Sequence, residues 1–223
     1  MEIDKIQISR QDIEELIETT RPFAELMMRY RCAIKEVQTK FEVLDEEFSI
    51  RYNRNPVEDI RTRLKSPRSI FNKMQRIGRE ITAENIREYL SDIAGIRVIC
   101  SYPEDIYKLC DMFLMQDDIK LIRKKDYIAN PKSNGYRSLH LIVEVPIFLT
   151  DAKEYVRAEV QFRTIAMDFW ASLEHQLKYK KDIPYAEEVA TELKDCAEQI
   201  AFLDRRMEAI ARHIEQMQKE GLS

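Results

Sequence analysis

Two runs of regularly spaced apolar residues, one near each end of the chain, constrain its fold more than any other feature. Within each run the apolar residues recur at alternating intervals of four and three, which keeps them on one side of a helix. The spacing predicts a long N-terminal helix, with Pro22 at its start, and a long C-terminal helix. The runs are Phe23, Met27, Tyr30, Ile34, Val37, Phe41 and Leu44, and then Val189, Leu193, Cys196, Ile200, Leu203, Met207, Ile210, Ile214 and Met217.

Each apolar run must be covered by another surface. For the N-terminal helix, the chain's own core explains the run at least as well as a second subunit does. The C-terminal segment is acidic, with 5 Lys/Arg against 9 Asp/Glu over residues 184–223. An acidic terminal helix with a heptad repeat is a natural assembly element, so we predict a homo-oligomer with this helix at a subunit contact.

Between the two helices the sequence predicts a mixed α/β core, in which helical patterns and β-branched segments mix without a regular βαβ repeat. Strands are expected at residues 96–102, 120–128, 138–145 and 155–163, and helices at residues 65–79, 83–91, 104–116 and 165–178. We interpret the chain as one domain of 223 residues. Its parts are N-terminal helices (1–50), a catalytic core (51–180) and a C-terminal helix (184–219).

Composition excludes several classes of protein. Apolar residues make up 44% and charged residues 34% of the chain, and no apolar run approaches the roughly 20 residues of a membrane span. The acidic start of the chain lacks the pattern of a signal peptide. No Cys-x-x-Cys pair occurs, and with three histidines a zinc site is not expected. We predict four reduced, buried thiols in a cytoplasmic protein, namely Cys32, Cys100, Cys110 and Cys196.

Glycine is scarce, with four in the whole chain, so neither a Walker loop nor a Gly-x-Gly-x-x-Gly turn is possible. Any bound phosphate must then be held mainly by side chains. Residues 51–79 hold 9 Lys/Arg and 2 Asp/Glu, a net charge of +7. Ser69, Lys73 and Arg76 form one stripe of a predicted helix there and would face a polyphosphate together. Taken alone, however, a basic segment is more often a solvated face than a ligand site.

Two well-separated carboxylates, Asp92 and Glu159, lie on or beside predicted strands. Alternation puts Glu159 and Gln161 on one face of their strand, flanked by arginines, which is more typical of the floor of a site than of a core sheet. Magnesium usually takes one or two protein carboxylates and shares its other positions with water and phosphates. The pair therefore suits a metal-assisted phosphoryl-type transfer.

An aromatic residue and a histidine follow a turn in the same region. Tyr136 comes directly after Asn134-Gly135, a turn signal, so its ring could stand free of the sheet and stack on a base. A turn tyrosine with no ligand is the simpler explanation of this residue by itself. His140 lies two positions into an apolar strand, where a histidine is more often structural than catalytic.

Taken together, the ordered segments resemble the RelA/SpoT-type alarmone synthetases, and among them the small single-domain enzymes of Gram-positive bacteria, closest to the RelP-like branch. The similarity covers most of residues 56–178. The matching segments are Arg63-Leu-Lys65-Ser-Pro-Arg-Ser69-Ile-Phe-Asn-Lys73-Met-Gln-Arg76, Asp92-Ile-Ala-Gly95-Ile-Arg97, Asp126-Tyr-Ile, Lys132-Ser-Asn134-Gly-Tyr136-Arg-Ser-Leu-His140, Glu159-Val-Gln161-Phe-Arg163-Thr and Met167-Asp-Phe-Trp170-Ala-Ser-Leu-Glu174-His175.

The resemblance implies a nucleotidyltransferase-like fold, a mixed sheet flanked by helices. It implies the transfer of pyrophosphate from ATP to the 3′-hydroxyl of GDP or GTP, with Mg²⁺ as cofactor, and assembly as a tetramer. Asp92 and Glu159 would be the catalytic residues and metal ligands, with Glu159 as the base. The residues implied for ATP are Arg63, Lys65, Ser69, Lys73, Arg76 and Arg97, and those implied for GDP or GTP are Lys132, Asn134, Tyr136, His140 and Gln161.

Two alternatives remain open at this point. Some small relatives pyrophosphorylate the 3′ end of tRNA, and the basic residues would then contact an RNA backbone. A non-enzymatic effector or RNA-binding module is the second alternative, although every implied catalytic residue is present. The intact Asn134-Gly-Tyr136 segment and the acidic net charge of −4 favour a free nucleotide. Because the chain has no adjacent His-Asp pair, we expect no alarmone hydrolase activity.

Overall fold

A computed structural model describes residues 10–52, 54–179 and 186–221 of the chain. The predicted class is confirmed: one mixed five-stranded sheet is flanked by helices, with a long helix towards each end. Expectations about the start of the chain and about a helix boundary at 184 fall on residues 1–9 and 180–185, outside the described residues. The elements are α1 (Arg10–Tyr52), β1 (Val57–Leu64), α2 (Pro67–Ile77), α3 (Ala83–Tyr89), β2 (Ala94–Cys100), α4 (Pro103–Leu114), β3 (Lys120–Asp126), β4 (Leu139–Phe148), β5 (Lys153–Thr164), α5 (Ile165–Tyr179) and α6 (Ala186–Gly221).

The sheet has the strand order β1-β2-β5-β4-β3. Strands β2 and β5 run parallel, and the other neighbours pair antiparallel. Its apolar face lies against α1 and α4: the ring of Phe41 stacks on Phe113 at 4.6 Å between centroids and meets Phe162 edge-on at 5.4 Å. Because side chains alternate along a strand, burial of Phe162 turns Gln161 and Arg163 to the opposite face. That opposite face is polar.

Helix α1 covers the core with its apolar run, so the chain's own core is the partner of this helix. The prediction that Pro22 starts the helix is wrong, since α1 begins at Arg10 and Pro22 lies inside it. A proline in a helix interior removes one backbone hydrogen bond, which normally marks a boundary. The apolar repeat begins only at Phe23, so the sequence offered no pattern that would extend the helix towards the N-terminus.

Strand β1 was not expected from the sequence. Its apolar residues, Val57, Ile60 and Leu64, are spaced by three and four, which resembles a helix more than a half-buried strand. The strand lies at the edge of the sheet, and its pairing with β2 is shifted between Val57 and Asp59. Edge strands commonly carry charged side chains that discourage further pairing, and the alternating apolar pattern is lost as a result.

Helix α6 packs on α5 through a narrow side made of Ala197, Ala201 and Asp204, and Thr164 donates a hydrogen bond of 2.6 Å to Asp204. The predicted apolar run lies beside this contact and leaves its distal half uncovered. The exposed fraction is 47–58% for Leu203, Met207, Ile210, Ile214 and Met217.

Two of the four cysteines are not buried as expected. Cys100 and Cys110 are buried, whereas Cys32 is half-buried and Cys196 is exposed. Cys196 belongs to the apolar run of α6, and it is uncovered because the packed side of the helix is the neighbouring side that contains Ala197.

Among the described helices, none is long and apolar enough to cross a lipid bilayer.

The turn after β3 packs against α6 at Gly135. Its φ is +85°, and a Cβ placed there would lie 2.5 Å from the Cβ of Ala197. Arg137 ties the two segments together by donating hydrogen bonds of 3.1 Å to the carbonyl oxygens of Gly135 and Ala197. Both the left-handed backbone and the close approach of α6 therefore require glycine.

We predict that Gly135→Ala lowers the free energy of unfolding by roughly 2–5 kcal/mol, the sum of left-handed strain and overpacking. The matched control is Gly78→Ala, because Gly78 also has positive φ (+71°) but nothing lies within 4 Å of the added Cβ. It should cost about 1–2 kcal/mol from strain alone. Urea unfolding of both variants measures the difference, and equal losses would show that the contact with α6 is not tight.

Candidate active site

The register of the sheet assembles the polar face in two rows. One row runs from Arg61 through Arg97, Gln161 and His140 to Lys125, with each residue paired to the next across the sheet. The next row passes in the same way through these neighbours: Arg63, Gly95, Glu159, Ile142 and Arg123. Since residues two apart on a strand share a face, both rows face the same side. Residues from five strands thus form one continuous floor.

Asp92 stands just before β2, at the end of this floor nearest α2. The ammonium nitrogens of Lys65 and Lys73 each lie 2.8 Å from one of its carboxylate oxygens. Burial opposes ionisation of Asp92, but the two lysines outweigh burial and hold its pKa below the usual range. The carboxylate is therefore charged at neutral pH.

Glu159 lies in the middle of the floor. Gln161 donates a 3.0 Å hydrogen bond to it, and the Nδ1 atom of His140 lies 3.5 Å from its other oxygen. Burial and the negative charge of Asp92 favour the neutral form, yet the contacts with His140 and Gln161 prevail and lower the pKa of Glu159. A second ionised carboxylate therefore faces the same cleft.

The turn between β3 and β4 supplies aromatic and basic groups. Tyr136 is half-buried, so the expectation of a free-standing ring is not met. Its hydroxyl is 2.8 Å from Nε2 of His140 and accepts a hydrogen bond of 2.9 Å from Arg163, while the ammonium of Lys132 lies 4.6 Å from the ring centroid. The ring is held here because the turn packs on α6 through Gly135.

Asn134 holds the turn in shape. Its side-chain oxygen accepts a hydrogen bond from the backbone N–H of Tyr136, and its amide nitrogen donates to Glu174 on α5 at 2.9 Å. Both ends of the amide are thus engaged within the protein. The structure gives Asn134 a positioning contact, where the sequence suggested a direct contact with a nucleotide.

Helix α2 presents the predicted phosphate stripe only in part. Lys73 reaches Asp92, and Ser69 lies at the start of the helix, where its hydroxyl is 2.8 Å from that of the capping residue Ser66. Arg76 lies in the last turn of the helix and is exposed. Ile70 and Met74, each one position after a residue of the phosphate stripe, are buried, whereas Ile77 is exposed because the helix ends there.

A cleft of about 300 Å³ lies over the centre of the floor. Five of the predicted site residues line it, namely Lys73, Asp92, Lys132, His140 and Glu159. Four further polar residues that line the cleft were not predicted from the sequence: Ser91, Arg123, Lys125 and Tyr127. Alternation of basic residues at 123 and 125 was the available signal, but it was not distinguishable from a charged edge strand. Lysine and arginine side chains make up much of the lining of the cleft, as the binding of a polyphosphate requires.

The carboxylates of the cleft fit a magnesium ion whose remaining coordination positions are taken by phosphate oxygens and water. Among the described residues, no group of three or more His, Cys, Asp or Glu side chains could hold a metal ion. That part of the chain therefore has no metal site made of protein ligands alone. Magnesium needs only one or two carboxylates from the protein. Asp92 and Glu159 face the same cleft, and the buried Oδ1 of Asp92 makes an ion pair but no hydrogen bond within the described structure.

Comparison with known proteins decides the family. Residues 62–184 match the family described as "Region found in RelA / SpoT proteins", and this stretch contains every predicted site residue. The GTP pyrophosphokinase YwaC of Bacillus subtilis is 44% identical over 85% of this chain and 90% of its own length. This chain belongs to the RelA/SpoT family. The predicted resemblance to the small alarmone synthetases is thereby confirmed.

Solved structures of small alarmone synthetases agree with this assignment. The crystal structure of small alarmone synthetase 2 from B. subtilis has a TM-score of 0.77 at 42% identity, covering 86% of this chain and 98% of that one. Small alarmone synthetase 1 from the same organism, crystallised with its product pppGpp, also has a TM-score of 0.77, at 31% identity over 87% and 99%. The likeness extends over nearly the full length of both enzymes.

We predict that Lys65→Met raises the pKa of Asp92, because one of the two cations that favour the carboxylate is lost while burial remains. A carboxyl with a lowered pKa stabilises the fold above its unfolded pKa and loses this effect as pH falls through the folded value. In Lys65→Met that loss should begin at higher pH. Carbon-13 NMR titration of Asp92 is the measurement.

The control for this titration is Lys40→Met, which breaks an ion pair of 2.8 Å with Asp118 away from the floor. It should leave the Asp92 titration unchanged. An Asp92 pKa that falls or stays constant in Lys65→Met would contradict the electrostatic description of the cleft.

Proposed function

We propose that this chain transfers the β,γ-pyrophosphate of ATP to the 3′-hydroxyl of GDP or GTP, giving AMP and ppGpp or pppGpp. The observation that supports this most strongly is the floor of the cleft, where two ionised carboxylates, Asp92 and Glu159, lie among lysine and arginine side chains. YwaC is a GTP pyrophosphokinase, and small alarmone synthetase 1 was crystallised with pppGpp. A free guanine nucleotide is therefore preferred to a tRNA end as the acceptor.

On the donor side, Arg63 and Arg97 are assigned to the two faces of adenine. They lie on neighbouring strands of the same face, and Gly95 leaves the position beside Arg63 without a side chain. Planar guanidinium groups stack well on aromatic rings, and this gap provides room for one. The triphosphate would then extend along the floor towards α2, where it would meet Lys65, Ser69, Lys73 and Arg76.

On the acceptor side, Tyr136 is assigned to guanine. Lys132 lies 4.6 Å from its ring centroid and 4.7 Å from that of Tyr127, which places a cation where the phosphates of an acceptor could reach it. His140 and Gln161 lie between this turn and Glu159 and are assigned to the acceptor ribose and phosphates. Asn134 supports the platform by holding the turn.

In the reaction, the 3′-oxygen of the acceptor forms a bond to the β-phosphorus of ATP, and the bond from that phosphorus to the α–β bridging oxygen breaks. AMP leaves with that oxygen. Glu159 is ionised and is assigned as the base that takes the proton of the 3′-hydroxyl. Phosphoryl-type transfer needs little covalent work from the protein, so positioning and charge stabilisation dominate.

Magnesium is the proposed cofactor, held by Asp92 and Glu159 together with the phosphates. When bound, it would neutralise negative charge on the phosphate oxygens. Lys65 and Lys73 already contact Asp92, so they lie within reach of any phosphate group that approaches this carboxylate.

We predict that Glu159→Gln lowers turnover by about 10²-fold or more, because the amide keeps the shape but cannot accept the proton. The matched control is Glu154→Gln on the same strand, which breaks an ion pair of 2.8 Å with Arg29 at the far end of β5. It should leave turnover within about twofold. Steady-state formation of AMP is the readout, and near wild-type turnover of Glu159→Gln would remove this residue from the mechanism.

The exposed apolar row of α6 supports assembly through this helix. Five large apolar side chains, from Leu203 to Met217, are about half exposed along one side of the helix. Contiguous apolar surface of this kind usually marks an interaction site. The proposed assembly is a homo-oligomer, and the family resemblance suggests a tetramer. The proposed location of the protein is the cytoplasm.

We predict that the double substitution Leu203→Glu and Ile210→Glu splits the assembly into smaller species, because charges in a closed apolar contact lose water without gaining partners. The matched control is Ala209→Glu with Gln216→Glu, which adds the same charge roughly 120–140° around α6. It should leave the mass unchanged. Light scattering measures both. A monomeric wild type, or unchanged mass in the first double variant, would sink this proposal.

A further inference from the structure

At one end of the floor, one buried carboxylate accepts hydrogen bonds from three arginines. Asp168, in the first turn of α5, is 6% exposed. It accepts hydrogen bonds from Arg61 at 2.8 Å, from Arg97 at 3.1 Å and from Arg163 at 2.9 Å. Asp168 does not line the central cleft, and neither the resemblance nor the cleft gives it a role.

Arg97 is the guanidinium group that relies most on this carboxylate, since Arg61 also donates to Asp59 at 2.7 Å and Arg163 also donates to the hydroxyl of Tyr136 at 2.9 Å. Burial and the nearby charge of Arg163 lower the pKa of Arg97, whereas Asp168 acts in the opposite direction. The Nε atoms of Arg97 and Arg163 are buried and find no hydrogen-bond partner among the described residues. Asp168 is therefore the main contact that fixes Arg97, and its negative charge offsets the repulsion between Arg97 and Arg163.

From Arg163 the contacts continue into the acceptor side. Its second terminal nitrogen donates to the hydroxyl of Tyr136 at 2.9 Å, and that hydroxyl is 2.8 Å from His140. His140 in turn lies 3.5 Å from Glu159. The same carboxylate thus contacts Arg97 directly and reaches Tyr136 through one intervening side chain.

We infer that Asp168 is a positioning residue for both nucleotides, fixing Arg97 for adenine and, through Arg163, the ring of Tyr136 for guanine. This inference rests on the roles assigned to Arg97 and Tyr136 in the proposed function. Asp168 itself touches neither nucleotide. One residue on α5 therefore sets the geometry of the donor and acceptor ends together.

The test is Asp168→Asn, which keeps the volume and one acceptor oxygen but removes the charge. The KM values for ATP and for GDP should each rise about tenfold, as expected when hydrogen bonds between charged groups are weakened. Turnover at saturation should change by less than about threefold, because Asp92 and Glu159 keep their own partners. That pattern is the loss of binding without loss of chemistry.

A matched control separates positioning from stability. Asp105 at the start of α4 is 0% exposed and pairs with Arg54 at 2.6 and 2.9 Å, away from the floor. Asp105→Asn should lower the melting temperature at least as much as Asp168→Asn but leave both KM values within about twofold. Raised KM values in Asp105→Asn would mean that general destabilisation explains the effect, and the inference would fall.

Second-site variants test the two branches separately. Tyr136→Phe lacks the hydroxyl that Arg163 contacts, so Asp168→Asn should no longer raise the KM for GDP in that background but should still raise it for ATP. Arg97→Ala should abolish the ATP effect and leave the GDP effect. The same rise in every background would overturn the inference, because a purely structural role predicts additivity.

Two outcomes distinguish this inference from the function it rests on. If Arg97→Ala leaves the KM for ATP unchanged and Tyr136→Ala leaves that for GDP unchanged, the assigned roles are wrong. If both raise the expected KM while Asp168→Asn alters neither, only the inference is wrong. Should Asp168→Asn fail to fold, Arg163→Lys serves instead. Its single ammonium should raise the KM for GDP alone, and an equal rise for ATP would contradict the inference.

Discussion

The parallel pairing of β2 with β5 is the contact on which the rest of the site depends. It places Gly95 beside Glu159 and Arg97 beside Gln161, so that a donor-side arginine and the proposed base share one face. A slip of one residue would turn these side chains into the core and the apolar ones outward. Burial of Phe162 against Phe41 on the other face favours this register. Packing in the core therefore fixes the position of the polar groups.

Electrostatics then decides what the floor can hold. Burial favours the neutral forms of Asp92 and Glu159. Lys65 and Lys73 nevertheless lower the pKa of Asp92, and His140 and Gln161 lower the pKa of Glu159. Two negative groups within a basic cleft can accept a proton and share a cation while the surrounding ammonium and guanidinium groups hold phosphates. This combination is what pyrophosphoryl transfer between two nucleotides needs.

Much of this arrangement followed from the sequence. The alternation around Glu159 predicted its face, and the order of motifs predicted the family and the mixed sheet. Strand β1 was missed because an edge strand does not need an apolar face. The contacts of Asp168 were missed for a different reason, since Arg61 is 107 positions away in the chain and no local pattern brings the two together. Site residues fixed by long-range contacts become visible only with the register.

The most direct test of the account is the fate of all phosphates when the purified protein is incubated with ATP, Mg²⁺ and GDP, followed by phosphorus-31 NMR. In a parallel sample, deacylated tRNA replaces GDP. The account predicts equal amounts of AMP and of a new 3′-diphosphate on the guanine nucleotide, with ADP absent from the products and tRNA unmodified. Formation of ADP, or transfer to tRNA but not to GDP, would contradict it.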